Sequence, residues 1–166
     1  MNNSGCALRP ATLDDLSAIN GIYNHFVQHS VCTYQEIQET AEDRLKWFGQ
    51  HDAKHPVIVA ELAGRVVGWG SLSAYHQRSA YRFTVENSVY VHHEHHKQGL
   101  GTAILGELLA QASALGHHTI IAGIDSEQAG SIALHTKFGF QKIAHLKQVG
   151  FKFGRWLDVI YMQRML

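Results

Sequence analysis

The sequence has 166 residues, 45% of them hydrophobic and 17% charged, which is an ordinary globular composition and long enough for one domain with a buried core. Its 14 Lys and Arg residues balance its 14 Asp and Glu residues, so no basic excess points to nucleic acid as a partner. No apolar run is long enough to span a membrane, and Cys6 and Cys32 form no disulfide or metal pattern. We therefore expect one domain, 1–166, in a cytoplasmic protein with no nucleic-acid or membrane partner.

The chain opens with signals for one strand and two helices. A short strand at about 7–10 precedes a capping box at 12–15, and apolar residues then recur at helical spacing. A second helix is predicted to begin at Thr40, with Asp43 three residues on, and to end at Pro56.

The middle of the chain is rich in strand signals. Two β-rich runs, 57–62 and 65–72, flank Ala63-Gly64 and predict an antiparallel hairpin. Residues 83–91 predict a long third strand, and residues 99–115 predict an amphipathic helix.

The last part of the chain predicts a crossover unit and a final pair of strands. An apolar strand at 119–124 leads to a helix that Asp125 or Ser126 caps and Gly139 ends. Two final strands are predicted at about 141–149 and 152–162, with a turn around Gly150. This order of elements predicts an α/β fold with a mixed, twisted sheet and helices on both faces.

A glycine loop lies between the third predicted strand and the long helix. Gly99 and Gly101 let the backbone turn with no Cβ in the way, and the free N–H groups at the helix start then point at one spot. That spot suits a phosphate or pyrophosphate, and Lys97 would add positive charge. By itself such a loop is more often a plain tight turn, and neither nucleotide-binding glycine fingerprint is present.

The strand 83–91 has two unlike faces. Phe83, Val85, Val89 and Val91 form an apolar face that we expect to pack, whereas Thr84, Glu86, Ser88 and Tyr90 form the other. A carboxylate in the middle of an interior strand is costly unless it has a partner or a chemical role. Glu86 is therefore either a general base or the partner of Arg78 or Arg82 in a salt bridge, and the residues alone leave both open.

These motifs resemble the GNAT superfamily of N-acetyltransferases. Its signature is a basic or amide residue, two others, Gly, any residue, then Gly or Ala, which here reads His96-Lys-Gln-Gly99-Leu-Gly101. Within that superfamily the chain looks most similar to the phosphinothricin and methionine-sulfoximine acetyltransferases. The supporting stretches lie at 8–12, 22–25, 84–91, 122–125, 131–135 and 152–158. The resemblance implies a GNAT-type α/β (α+β) fold, with a splayed sheet of about seven strands.

The same resemblance implies an enzyme that moves an acetyl group from acetyl-CoA to the α-amino group of a small amino-acid-like acceptor. Acetyl-CoA would lie between the strands 83–91 and 119–124, without any metal. The implied cofactor-binding residues are Val89, Tyr90, Val91, Lys97, Gln98, Gly99, Leu100, Gly101, Thr102 and Ser131.

The resemblance also implies catalytic roles. An ammonium group cannot attack a thioester until it loses a proton, and Glu86 is implied as the general base. A main-chain amide near Val89 would stabilise the oxyanion. His135 stands where many GNAT enzymes have a tyrosine that protonates the leaving thiolate. His135 is either a general acid or a residue that only forms hydrogen bonds, and both roles are equally open.

Acceptor binding is implied for the segment before Glu86 and for the start of its strand. The predicted acceptor-binding residues are Arg78, Arg82, Thr84, Glu86 and Asn87. The two arginines suit an α-carboxylate held in a bidentate fork, although solvated surface arginines are the commoner case. Lys152, Arg155 and Trp156 are weaker candidates. A homodimer that uses the C-terminal strands and the Arg78 loop is implied as well.

Two departures and one histidine cluster qualify the resemblance. His96 stands where Arg or Gln is usual, and Gln128 stands where relatives often have Asn. The cluster His92–His96 fits no zinc pattern, so no metal site is expected. Two alternatives stay open: a different acceptor (a polyamine, an aminoglycoside or a protein N-terminus), or a non-catalytic acyl-CoA-binding sensor.

Overall fold

The computed structural model describes residues 5–166, which form seven strands and four α-helices. In chain order these are β1 Cys6–Pro10, α1 Leu16–His29, α2 Ala41–Phe48, β2 Val57–Leu62, β3 Arg65–Ala74, β4 Thr84–Val91, α3 Leu100–Ala114, β5 Thr119–Asp125, α4 Ala129–Lys137, β6 Gln141–Lys152 and β7 Arg155–Met165. No helix of this part of the chain is long and apolar enough to cross a bilayer.

The seven strands make one mixed sheet in the order β1-β2-β3-β4-β5-β7-β6. All neighbours are antiparallel except β4 and β5. These two pair only from Thr84↔Thr119 to Glu86↔Ile121, while β5 stays paired with β7 as far as Asp125. The parallel strands therefore separate after Glu86, and the predicted mixed, splayed α/β sheet is confirmed.

Helices cover both faces of the sheet, as predicted. On one face α3 buries Ile104 and Leu108 against the strands, and on the other α1 buries Ile19 against Trp69. The division follows from the alternation of side chains along each strand. In β2, for example, Val57 and Val59 join the α1 side, whereas Ile58 and Ala60 join the α3 side.

The predicted capping box at 12–15 forms, and the helix start predicted at Thr40 is also a capping box. Thr40 Oγ1 accepts the Asp43 N–H, and the Asp43 carboxylate accepts the Thr40 N–H. The Asp15 carboxylate likewise accepts the Thr12 N–H, and a short 3-10 turn precedes α1 there. Two Arg9 N–H groups also reach Asp15, at 2.7 and 2.8 Å. The start of each early helix is thus set by local sequence.

Two predicted helix boundaries were wrong. α2 ends at Phe48, not at Pro56, because Gly49 and the residues after it turn back onto the last carbonyls of the helix. α4 begins at Ala129 rather than at Asp125 or Ser126, because Asp125 still belongs to β5. Asp125 uses its Oδ1 atom to accept the Glu127 N–H in the connecting turn.

The predicted position of the last turn was also wrong. β6 runs through Gly150 to Lys152, and the chain reverses at Phe153-Gly154, where φ is +52° and +75°. Two consecutive left-handed residues are typical of the tight hairpin turn whose twist matches that of the strands. Gly150 is needed for space instead, since a Cβ there would lie 2.4 Å from the ring of Tyr34.

Candidate active site

A cavity of about 740 Å³ opens where β4 and β5 separate. β4, β5, the glycine loop, the start of α3, α4 and the loop after α1 form its walls. The structure brings these predicted site residues to it: Glu86, Asn87, Val89, Tyr90, Val91, Lys97, Gly99, Leu100, Gly101, Thr102, Ser131 and His135. Gln98, Arg78, Arg82 and Thr84 do not line it.

The glycine loop gives the cavity an anion-binding end. Gly99 caps α3 with φ +82°, and the first N–H groups of the helix have no partner within the helix. A Cβ on Gly101 would lie 3.3 Å from Leu134 in α4, so the small residue lets α3 and α4 approach each other. The His96 ring donates its Nε2–H to the Val91 carbonyl at 2.9 Å, which ties the loop to the end of β4.

Glu86 is the last β4 residue paired with β5, and its side chain faces the cavity. Its carboxylate lies beside Gly123 and Tyr161, since a Cβ on Gly123 would be 3.4 Å from both side chains. Among residues 5–166 no ion pair involves Glu86, so the alternative of a salt bridge to Arg78 or Arg82 is not realised. Burial raises the pKa of the Glu86 carboxyl above its ordinary value.

β4 keeps the predicted alternation along its whole length, because its register with β3 has no bulge. Val85, Val89 and Val91 face the α3 side. The prediction for Phe83 was wrong. It precedes the strand, is exposed and lies under the Arg82 guanidinium, because the chain is still in the loop from β3 at that point.

His135 and Asn87 form a buried pair on the α4 side of the cavity. His135 Nδ1 lies 2.8 Å from the Ser131 carbonyl oxygen, and its Nε2 lies 3.0 Å from Asn87 Nδ2. Asn87 Oδ1 is buried and has no hydrogen-bond partner in the described part of the chain. Burial lowers the pKa of the His135 imidazole, which favours its neutral form.

Arg78 and Arg82 lie outside the cavity, on the exposed connection from β3 to β4. Arg82 donates to the Ser79 carbonyl oxygen at 3.2 Å. Both arginines are therefore close to Glu86 in the sequence, but the fold does not place them in its cavity.

A wall of the cavity that sequence reasoning missed comes from the loop after α1. Cys32, Thr33 and Tyr34 line it, and the Tyr34 hydroxyl donates to Asp125 Oδ2 at 2.6 Å. Lys152, which is 1% exposed, donates to the Ser30 and Thr33 carbonyls at 2.8 Å each. No local pattern could have identified this contact, because more than a hundred residues separate Lys152 from the loop.

The histidine cluster packs against α1. The His93 ring stacks on His25 with centroids 3.8 Å apart, and the His96 ring is parallel to Phe26 at 5.9 Å. Within residues 5–166, no group of three or more His, Cys, Asp or Glu side chains is arranged to hold a metal ion.

A splayed mixed sheet with a glycine loop at the start of α3 is the arrangement of an N-acetyltransferase. The chain belongs to the acetyltransferase (GNAT) family, whose sequence model matches residues 20–140. It is 41% identical over 160 residues to the L-methionine sulfoximine/L-methionine sulfone acetyltransferase of Salmonella typhimurium, covering 96% of this chain and 94% of the relative.

Solved structures agree. A phosphinothricin acetyltransferase from Sinorhizobium meliloti, determined in complex with acetyl-CoA, superposes with a TM-score of 0.92 at 40% identity, over 98% of this chain and 89% of that one. An N-acetyltransferase from Staphylococcus aureus gives a TM-score of 0.94 at 33% identity, over 96% and 98% of the two chains. The predicted family, its fold and the similarity to these two kinds of acetyltransferase are confirmed.

Proposed function

We propose that this chain transfers the acetyl group of acetyl-CoA directly to the α-amino group of a small amino-acid-like acceptor, of the methionine sulfoximine, methionine sulfone or phosphinothricin type. The single observation that carries the proposal is the Glu86 carboxylate. It is half-buried, has no cationic partner among residues 5–166 and faces a cavity that opens beside a glycine-capped helix. The relatives from Salmonella typhimurium and Sinorhizobium meliloti act on acceptors of this type, which supports the choice of substrate class.

The cavity suits acetyl-CoA, which supplies an activated acetyl thioester. The helix start at Gly99–Thr102, with Lys97 beside it, offers N–H donors and positive charge for the pyrophosphate. Beyond Glu86, β4 no longer pairs with β5, so main-chain groups of 89–91 on that side are available to the pantetheine arm, apart from the Val91 carbonyl, which already accepts from His96. Ser131 and the start of α4 line the other side.

Glu86 acts as the general base in this proposal. The carboxylate removes one proton from the acceptor ammonium, directly or through a water, and the freed amine attacks the thioester carbonyl carbon. The C–N bond forms, the C–S bond breaks, and the sulfur leaves as a thiolate, which takes up the second proton that the acceptor nitrogen loses as it becomes an amide. Because burial raises the pKa of the Glu86 carboxyl above 4.5, it binds a proton more readily than an exposed carboxylate does.

The acceptor carboxylate and the assembly complete the proposal. Arg78 and Arg82 are exposed and would turn toward an α-carboxylate, Arg82 by leaving the Ser79 carbonyl, while Thr84 and Asn87 would contact the acceptor beside Glu86. A homodimer in the cytoplasm is proposed as well. Exposed apolar residues on the last two strands, among them Phe151 and Trp156, support the dimer.

Thiol release from acetyl-CoA with a panel of amines tests the acceptor class. The panel holds methionine sulfoximine, methionine sulfone, phosphinothricin, ordinary amino acids, spermidine and a short peptide. Release limited to the first three is the expected result. Release with spermidine or the peptide alone would show that the acceptor is a polyamine or a protein N-terminus. Tight CoA binding with no release would favour the non-catalytic acyl-CoA-binding sensor.

The variant Glu86→Gln tests the base. It should keep CoA affinity and lose about 10²- to 10⁴-fold in kcat, because an amide cannot take the proton. In the wild type, the acidic limb of the kcat/KM profile should lie above pH 4.5, since the raised pKa means that falling pH protonates the base early. Glu42→Gln, at an exposed carboxylate on α2, is the matched control and should leave both quantities unchanged. Unchanged turnover in Glu86→Gln would exclude Glu86 as the general base.

A further inference from the structure

The buried pair of Asn87 and His135 has an orientation that elementary hydrogen bonding determines. The Ser131 carbonyl oxygen can only accept, so His135 Nδ1, 2.8 Å away, carries a proton and donates it. A neutral imidazole then has a lone pair on Nε2, which can only accept. His135 is 3% exposed and no carboxylate of residues 5–166 pairs with it, so the neutral ring is the favoured form.

The orientation of the Asn87 amide follows from the state of the ring. Only the NH₂ group of Asn87 can donate to Nε2, so Nδ2 faces His135 at 3.0 Å. Oδ1 then points the other way. Asn87 is 7% exposed and lines the cavity, yet its Oδ1 atom has no donor in the described part of the chain. A buried acceptor without a donor costs free energy, which a ligand donor would recover.

The position of Asn87 indicates which ligand supplies that donor. Asn87 is the first β4 residue beyond the last pair with β5, Glu86↔Ile121. Its side chain points to the α4 side of the split sheet, whereas Glu86 points to the opposite side. A thioester that must meet an amine beside Glu86 has its sulfur and the adjoining amide of the pantetheine arm at this split. That amide carries an N–H group, and Asn87 Oδ1 accepts one hydrogen bond.

We propose that Asn87 Oδ1 accepts a hydrogen bond from the pantetheine amide of CoA next to the sulfur, and that His135 is a positioning residue that holds the Asn87 amide in this orientation. This inference rests on the proposed use of acetyl-CoA. Asn87 is then assigned to the binding of the acetyl donor and no longer to the binding of the acceptor. His135 likewise changes from proton donor to hydrogen-bond acceptor, since both ring nitrogens are already engaged.

Calorimetric titration of the acceptor-free enzyme with CoA and with acetyl-CoA tests the contact. Asn87→Leu should bind both about tenfold more weakly, because the amide N–H loses its acceptor. Weaker binding of CoA alone would identify the thiol S–H as the donor and overturn the amide assignment. Unchanged binding of both in Asn87→Leu would overturn the contact itself, and a wild type that binds neither would contradict the proposed function instead.

Variants of His135 separate positioning from proton donation. His135→Phe should weaken CoA binding, should add nothing in the Asn87→Leu background, and should be rescued by His135→Gln, whose carbonyl oxygen can accept from Nδ2. His117→Phe is the control, because His117 is equally buried but contacts the Lys54 carbonyl away from the cavity. A loss of turnover in His135→Phe with unchanged CoA binding would restore the general-acid role and overturn the inference.

A spectroscopic measurement on the wild type needs no variant to fold. Long-range ¹H–¹⁵N NMR of histidine-labelled apoenzyme should find His135 as the neutral Nδ1–H tautomer. A protonated ring, or a ring with its proton on Nε2, would turn the Asn87 amide around and overturn the inference.

Discussion

Asp15, which is buried, and Glu86, which is half-buried, show how neighbours decide the chemistry of a carboxylate. Asp15 accepts hydrogen bonds from Arg9 and Thr12, and these lower the pKa of its carboxyl to about 2. Glu86 has no such donor in the part of the chain that the structure describes, and burial raises the pKa of its carboxyl. The first group is charged and structural, whereas the second is suited to exchange a proton.

The residue-scale prediction concerns Asp15. Its contribution to the free energy of unfolding is complete above its ordinary pKa of 3.8 and is lost as the pH falls toward about 2, because protonation breaks the pair with Arg9. Asp15→Asn should therefore lower stability at pH 7 by about 1 kcal/mol, a value reduced for the partly exposed Arg9. Urea unfolding measured between pH 7 and 2 checks this.

Asp14→Asn provides the matched control, because Asp14 is an exposed neighbour on the same turn. It should leave the free energy of unfolding unchanged within about 0.5 kcal/mol. Equal pH dependence of wild type and Asp15→Asn would contradict the assigned role of the ion pair.

At the scale of elements, the end of β6 holds the loop that forms one wall of the cavity. Lys152 binds two loop carbonyls, and Gly150 leaves room for the ring of Tyr34, which in turn bonds to Asp125 at the end of β5. Gly150 and Lys152 thereby position Cys32 and Thr33 beside the cavity, although they do not line the cavity themselves.

Gly150→Ala tests this arrangement. A Cβ at position 150 would lie 2.4 Å from the Tyr34 ring, so the ring must move and the loop with it. We expect a loss of about 1–3 kcal/mol in stability and a higher KM for the acceptor. Thermal unfolding and initial-rate kinetics measure the two effects.

Gly21→Ala is the control for that substitution. Gly21 lies within α1, and a Cβ there meets nothing within 4 Å. The change should raise stability by about 0.5–1 kcal/mol, since alanine costs less conformational entropy in a helix. A Gly150→Ala variant as stable as the wild type, with unchanged KM, would show that the loop is not held by β6.

At the scale of the whole molecule, one edge of the sheet is unusually apolar. β6 is an edge strand, and the last hairpin exposes Ile143, Val149, Phe151, Phe153 and Trp156. Phe151 and Trp156 face each other across the hairpin with ring centroids 5.0 Å apart. A cluster of exposed apolar side chains is typical of interaction sites, and the proposed homodimer would cover it.

Trp156→Glu should convert the proposed dimer to a monomer, because the dimer would bury the new charge without a partner. Sedimentation velocity at micromolar concentration measures the change. Leu13→Glu, at an exposed leucine after β1, should leave the dimer intact. A monomeric wild type would contradict the homodimer.

Signals that act over a few residues were readable from the sequence. The capping box at Thr12, the helix start at Thr40, the Ala63-Gly64 turn and the glycine loop at Gly99 depend on nearby atoms, and each formed where predicted. The alternation of β4 likewise predicted the side to which Glu86 points, because side-chain direction in a strand follows from sequence position.

Contacts between distant segments were decided only by the tertiary structure. The last turn was misplaced because Gly150 is needed for packing against Tyr34, and Gly150 looks like a turn residue when the chain is read locally. By contrast, the sequence alone determined the family and the residues at the splayed strands. Only the fold decided that Lys152 holds a wall of the cavity and that His135 holds Asn87, since hydrogen bonds between remote residues leave no local pattern.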